Sequence, residues 1–147
     1  MSQISDVLRT KGERVLMVTP DMPVVRVAQR MREEHVGAFV VSSDGRRMEG
    51  LITERDIVFG IARHGEAMLA LPVSALMSQA VHTCRFDDSV RSAMTTMTNS
   101  RVRHLPVVEH GEVCGIISIG DVIKTYADET DLETSVMRDA YLAHRSR

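Results

Sequence analysis

Apolar positions fall along the chain in short periodic blocks, and each block occurs twice. Val24, Val27, Ala28 and Met31 stand at i, i+3, i+4 and i+7, the spacing that lays one apolar stripe along a helix. Val90, Ala93, Met94 and Met97 repeat it 66 residues later. A short apolar strand follows each helix, residues 37–41 in the first half and 103–107 in the second. Next comes a turn, Asp44-Gly45 or His110-Gly111, whose glycine suits the positive φ of a hairpin. One extra residue after the first turn reduces the offset to 65. Gly50-Leu51-Ile52-Thr53-Glu54-Arg55-Asp56-Ile57 then matches Gly115-Ile116-Ile117-Ser118-Ile119-Gly120-Asp121-Val122, a strand running into a helix.

Each half therefore reads strand, helix, strand, hairpin, strand, helix, preceded by a helical lead-in at residues 5–8 and 74–77. With a boundary near residues 65–71, the chain divides into a first repeat with its lead-in helix (1–66), a second repeat (67–128) and an extension (129–147). Leu132, Val136, Met137, Ala140 and Tyr141 give the extension the spacing of a further amphipathic helix, laid on its own module or on a partner. The fold class expected is α/β of the α+β type. A half of about 60 residues cannot cover both faces of its small mixed sheet, so the two copies should pack on each other about a pseudo-twofold axis.

Composition narrows the function more than the fold. Apolar residues at 44% and charged residues at 26% describe a globular chain. No apolar run approaches the ~18 residues of a membrane span, and the first residues lack a signal-peptide pattern, so a cytoplasmic location without membrane contact is expected. A net charge of −2, with no Trp, three Phe and two Tyr, argues against nucleic acid as a polymer, which needs clustered cations or stacking platforms. Cys84 and Cys114 lie in predicted strands as small hydrophobes, and the ten Met residues read as core filler. His35, His64, His82, His110 and His144 have no metal-ligand spacing, and no nucleophile motif or phosphate loop is present. Neither catalysis nor a metal site is expected.

Chemistry concentrates where the paired strands become helices. Asp56 and Asp121 offer carboxylates, acceptor-only groups able to take both hydroxyls of a ribose. Thr53 and Ser118 stand at the helix N-termini, where free amides and the positive end of the dipole favour phosphate. The same pairs also fit a capping box, and a cap residue alone is worth about 1 kcal/mol. Both uses remain open from the residues themselves.

Two copies of Gly-h-h-Ser/Thr-x-x-Asp-h (h apolar), with Val102-Arg103-His104-Leu105-Pro106-Val107-Val108 before the second, resemble CBS domains over nearly the whole chain to about Asp128. The resemblance implies a Bateman module: a homodimeric disc with clefts for AMP, ADP, ATP, NAD or S-adenosylmethionine between the repeats, reporting energy or metabolite state to a separate target protein without catalysis. It places adenine between Val18 and Cys84, with Thr83 and Pro106 at frequent family positions, and Arg55, Arg103 and His104 toward phosphate. Gly37 and Ala38 carry no charge but leave room for a base or ribose to approach the backbone. Met17 and Val40 depart from the pattern where Thr83 and Pro106 keep it, and Gly120 stands opposite Arg55. The Ser118/Asp121 cleft thus fits the family better, while Arg55 favours Thr53/Asp56 for phosphate. The alternative is a ligand-free dimeric adaptor whose clefts are vestigial.

Overall fold

A computed structural model describes residues 1–12 and 14–145, so the last two residues of the expected extension lie outside it. In chain order the elements are α1 (Ile4–Lys11), β1 (Met17–Val18), α2 (Val24–Glu34), β2 (Ala38–Val41), β3 (Gly50–Thr53) and α3 (Glu54–His64). Two 3-10 turns, Gly65–Ala70 and Val73–Ala75, lead to α4 (Val90–Ser100), β4 (His104–Glu109), β5 (Glu112–Ser118) and α5 (Ile119–Arg145).

The repeat is reproduced in detail. Helices α2 and α4 begin and end 66 residues apart, and each stops on a left-handed residue, His35 at φ 55° and Arg101 at φ 53°. Past each stop, the amide of Val36 or Val102 donates to the carbonyl of Met31 or Met97, both at 3.1 Å. Left-handed backbone is uncommon outside glycine, so its recurrence at one register position marks a shared helix-ending device. The buried faces are Val24, Val27 and Met31, then Val90, Ala93 and Met97. Ala28 is exposed and Met94 only partly covered, so the stripe is narrower than the periodicity implied.

β1 pairs parallel with β2, which pairs antiparallel with β3. In the second half β4 and β5 are antiparallel, and the counterpart of β1 shrinks to one parallel bridge between Cys84 and Val107. The two turns differ. His110 (φ 52°) and Gly111 (φ 78°) make a two-residue hairpin, whereas eight residues, 42–49, join β2 to β3 and fold around Asp44, which accepts from the amides of Arg46 and Arg47.

The lead-ins pack on the opposite repeats rather than on their own. Ile4, Val7 and Leu8 of α1 share a buried cluster with Val90, Met97, Leu105, Ile117 and Val122 of the second repeat. Reciprocally, Val73, Leu76 and Met77 pack with Val27, Phe39 and Ile52 of the first. Backbone bonds repeat the exchange: Val90 N–H donates to Ser2 O at 3.0 Å, and Val24 N–H to Leu71 O at 2.9 Å. A third cluster, Ala38, Val40 and Leu51 with Val113 and Ile116, joins the two sheets face to face. The expected mutual covering of the repeats is therefore met both by sheet contact and by exchanged lead-ins. The C-terminal extension differs from expectation too, because it continues the last helix of the second repeat as the 27-residue α5 without a break.

Candidate functional site

Helix α3 starts where β3 leaves the sheet, and the sequence builds that corner by capping. Asp56 Oδ2 accepts from the Thr53 amide at 2.9 Å and from Thr53 Oγ1 at 3.0 Å, while the Asp56 amide donates back to Thr53 Oγ1 at 3.3 Å. The Ser118/Asp121 corner is built alike, with the Ser118 amide 2.8 Å from Asp121 Oδ2 and the Asp121 amide 3.2 Å from Ser118 Oγ. Both capping boxes are thus realised, with the Thr53 hydroxyl donating to Asp56. Each corner is also tied to the strand of the same sheet: Glu54 N–H donates to Gly37 O at 3.0 Å, and Ile119 N–H to Arg103 O at 2.8 Å.

A cavity of about 480 Å³ opens at the first corner. The first repeat supplies Gly37, Leu51, Thr53, Glu54, Arg55, Asp56 and Val58; the second supplies Val102, Arg103 and His104, and the segment leading into it supplies Ser78, Ala80, Val81 and His82. Leu51, Val58, Val81 and Val102 give it an apolar wall, while Asp56, the α3 N-terminus, Arg55 and Arg103 give it a polar end. That combination matches small-molecule sites, which are mostly apolar with a few convergent polar groups and span about 300–1,000 Å³. Arg55 reaches across to the second repeat, its Nη1 donating to Arg101 O at 2.8 Å. Among the described residues, Asp56 Oδ1 accepts a single long bond, from Ser78 Oγ at 3.4 Å. Gly37 leaves room at this corner: a Cβ there would stand 2.7 Å from Glu54 Oε1 and 3.3 Å from His104 Cε1, so the Glu54 side chain would have to shift.

His104 sits half-buried on the cavity wall. Burial lowers its pKa below the ordinary 6.5, and the positive charges of Lys11 and Arg103 add to this against the opposing pull of Glu54 and Asp121. The imidazole is therefore held neutral at physiological pH and contributes polarity to the site without a fixed charge.

The second corner is occupied by the protein itself. Lys11, the last residue of α1, places Nζ 2.7 Å from Asp121 Oδ2 and 2.8 Å from Ile116 O. Burial opposes ionisation of Asp121, but the Lys11 ammonium and the Ser118 groups outweigh it and hold its pKa below the ordinary carboxylate value.

Of the thirteen residues singled out from sequence, the cavity gathers Gly37, Thr53, Arg55, Asp56, Arg103 and His104. Ser118 and Asp121 form the other corner, and Thr83 is exposed away from it. Val18 and Cys84, expected to flank adenine, are instead core residues at 2% and 4% exposure, as are Ala38 and Pro106 among the buried strand positions. Burial pushes the Cys84 thiol up to about 12, with Asp88 and Cys114 adding to the effect. The remaining lining residues, Leu51, Glu54, Val58, Ser78, Ala80, Val81, His82 and Val102, were not among those singled out. Leu51 and Val102 adjoin motif residues and were within reach of sequence reasoning, but the 78–82 segment reaches the first cleft only through the exchanged lead-in.

With this geometry established, comparison with known proteins decides the family. The CBS domain model matches residues 4–63 and again 73–128. The chain belongs to the CBS-domain family. It is 34% identical over 134 residues to the mitochondrial CBS domain-containing protein CBSX3 of Arabidopsis thaliana, covering 86% of this chain and 65% of that protein, so it spans a little under two thirds of that relative. It is 30% identical to the CBS domain-containing protein YhcV of Bacillus subtilis, over 83% of this chain and 84% of that one. Among solved structures, the CBS-domain containing protein ATU1752 from Agrobacterium tumefaciens superposes with a TM-score of 0.82 at 39% identity, over 85% of this chain and 99% of the other. PAE2072 from Pyrobaculum aerophilum, a CBS domain protein complexed with AMP, gives 0.72 at 25% identity over 82% and 89%. The paired CBS architecture expected from the repeat is thereby established, and none of these relatives is named as an enzyme. Among the described residues no helix is long and apolar enough to cross a membrane.

Proposed function

We propose that this CBS pair is a regulatory module that binds an adenine nucleotide in the Thr53/Asp56 cavity and performs no chemistry on it. The observation that carries the reading is the convergence, in one cavity, of a carboxylate, a helix N-terminus, two arginines and an apolar wall. Asp56 Oδ1, held by the long Ser78 bond, suits a ribose diol. The α3 amides with Arg55 and Arg103 suit phosphate, and Leu51, Val58, Val81 and Val102 suit the flat apolar base. The AMP complex of the related PAE2072 supports the same ligand class.

Signalling requires that binding favour one arrangement of the protein over another, because equal affinity for both shifts nothing. A homodimer supplies two such arrangements. Val58, Phe59 and Ile61 on α3, with Ile123 and Tyr126 on α5, are exposed apolar side chains that support self-association, with a separate target polypeptide in the cytoplasm receiving the output. The same surface supports the adaptor reading, in which the motifs only cap helices.

Melting the purified protein with AMP, ADP, ATP, NAD or S-adenosylmethionine separates the two. A ligand at one hundred times its Kd stabilises by about 2.7 kcal/mol. At about 0.3 kcal/mol per degree for a chain of this length, that is a rise of about 9 °C. No rise with any of the five overturns nucleotide binding in favour of the adaptor.

A further inference from the structure

We propose that Lys11 fills the ribose position of the second cleft, so that each chain binds nucleotide at the Thr53/Asp56 cavity alone. The inference rests on the nucleotide-binding reading above and fixes which cleft serves it. Each exchanged lead-in delivers donors to the same two acceptors of the opposite repeat: a strand carbonyl and the capping aspartate. On the first repeat Ser78 does this, its amide donating to Leu51 O at 2.9 Å and its hydroxyl to Asp56 Oδ1 at 3.4 Å. On the second, the Lys11 ammonium bonds the matching Ile116 O at 2.8 Å and Asp121 Oδ2 at 2.7 Å. Leu51 and Ile116, like Asp56 and Asp121, are 65 residues apart and equivalent in the repeat.

The two occupants differ in how readily they yield. A ribose hydroxyl reaching Asp56 competes with one long, neutral bond from a side chain free to rotate. At Asp121 the Lys11 ammonium holds the capping oxygen Oδ2 in a short charge-assisted pair, roughly twice as strong as a neutral bond, which a diol spanning both carboxylate oxygens must displace. The diol would also leave the ammonium beside the Ile116 carbonyl without its counter-charge. A neutral diol cannot compensate that charge, so the first cleft is open to nucleotide and the second is closed by the chain itself.

Calorimetric titration with AMP, and in parallel with ATP, tests this on the intact protein. One site per chain is expected in the unmodified protein, weakened at least about tenfold by Asp56→Asn and kept at full affinity in Asp121→Asn. Lys11→Met, which keeps the apolar stem but not the charge, is expected to raise the stoichiometry to two, and adding Asp121→Asn to Lys11→Met returns it to one. Two sites in the unmodified protein, loss of binding in Asp121→Asn with retention in Asp56→Asn, or a single site in folded Lys11→Met would each overturn the inference while leaving nucleotide binding intact. Absence of heat with both nucleotides in both the unmodified and Lys11→Met proteins overturns the binding reading and this inference together. The two aspartate variants need no change at Lys11, so they decide the matter even if Lys11→Met does not fold.

Discussion

Asp56 is asked to do two things, and replacing it separates them. In Asp56→Ala the acceptor for the Thr53 amide and hydroxyl disappears, and the α3 N-terminus loses its capping box. Loss of a cap costs about 0.5–2 kcal/mol, a fall in melting temperature of about 2–6 °C for a chain of this length. If Asp56 also accepts the ribose diol, each lost bond to a charged group removes about 1.5–3 kcal/mol of binding, so two bonds weaken affinity at least about 100-fold. Asp56→Asn keeps one oxygen for the cap and should retain most of the stability, yet loses the charge and one acceptor and so should still bind at least about tenfold more weakly. Asp121→Ala is the control, since its cap is made by bonds of 2.8 and 3.2 Å of the same kind. It should lose at least as much stability, because the Lys11 ion pair goes with the cap, and keep its affinity. Apo melting curves measure the first quantity and calorimetric titration the second. An Asp56→Ala protein that melts lower but binds AMP and ATP as tightly as the parent would show that the Thr-x-x-Asp motif serves capping alone.

Three further outcomes follow from the packing and charge around the cavity. Gly37→Val places side-chain atoms where even a Cβ would stand 2.7 Å from Glu54 Oε1; nucleotide affinity should fall at least about tenfold with a stability loss of about 1–3 kcal/mol, and unchanged affinity by titration would place the ligand elsewhere. His104 has its pKa lowered on folding, chiefly by burial, so the unfolded chain binds the extra proton more readily: its contribution is fully present above pH 6.5 and is lost as pH falls below that value. Melting temperature should therefore decline with acidification through that range and decline less in His104→Gln; identical pH profiles would refute the assignment. Leu8→Ala should cost about 2–5 kcal/mol and reduce hydrogen-exchange protection in β4, β5 and α4, not in β2 and β3, because Leu8 packs at 2% exposure in the cluster of the second repeat.

Much of this was legible in the sequence because the repeat is written in local terms. Periodic Val and Met residues gave α2 and α4 to the same register, glycines marked the turns, and Thr53 and Ser118 located two helix starts. What local pattern could not give is which copy a segment packs against. Residues 5–8 and 74–77 look alike as lead-ins whether they fold back or cross over, since burial of an apolar stripe is satisfied either way. The crossing decides the site. It brings Val81 and His82 to the first cleft and Lys11 to the second, so a cavity wall and an ion pair both lay beyond any motif. An apolar residue beside a motif likewise reads alike whether it faces ligand or core, and the sheet turns Val18 and Cys84 inward.

The crossing also explains how one repeated sequence yields two unlike clefts without disturbing the fold. Each lead-in must present donors to a strand carbonyl and a capping carboxylate, or those groups at the sheet edge would lose their partners. Ser78 and Lys11 both meet that requirement, so folding accepts either. Function does not, since a rotatable hydroxyl yields to a ligand and a charge-paired ammonium resists it. Gly115 shows how closely the crossing segment is held: a Cβ there would stand 2.8 Å from Leu8 Cδ2, so α1 can rest on β5 only because position 115 lacks a side chain. At the equivalent Gly50 a Cβ would stand 2.6 Å from Met77 Sδ and 2.9 Å from the Ser78 carbonyl oxygen. The first residue of each Gly-h-h-Ser/Thr-x-x-Asp motif is thus explained by the exchange of lead-ins, independently of any ligand. Its last residue, which caps a helix and stands at the cleft, is where the two repeats have room to differ in function.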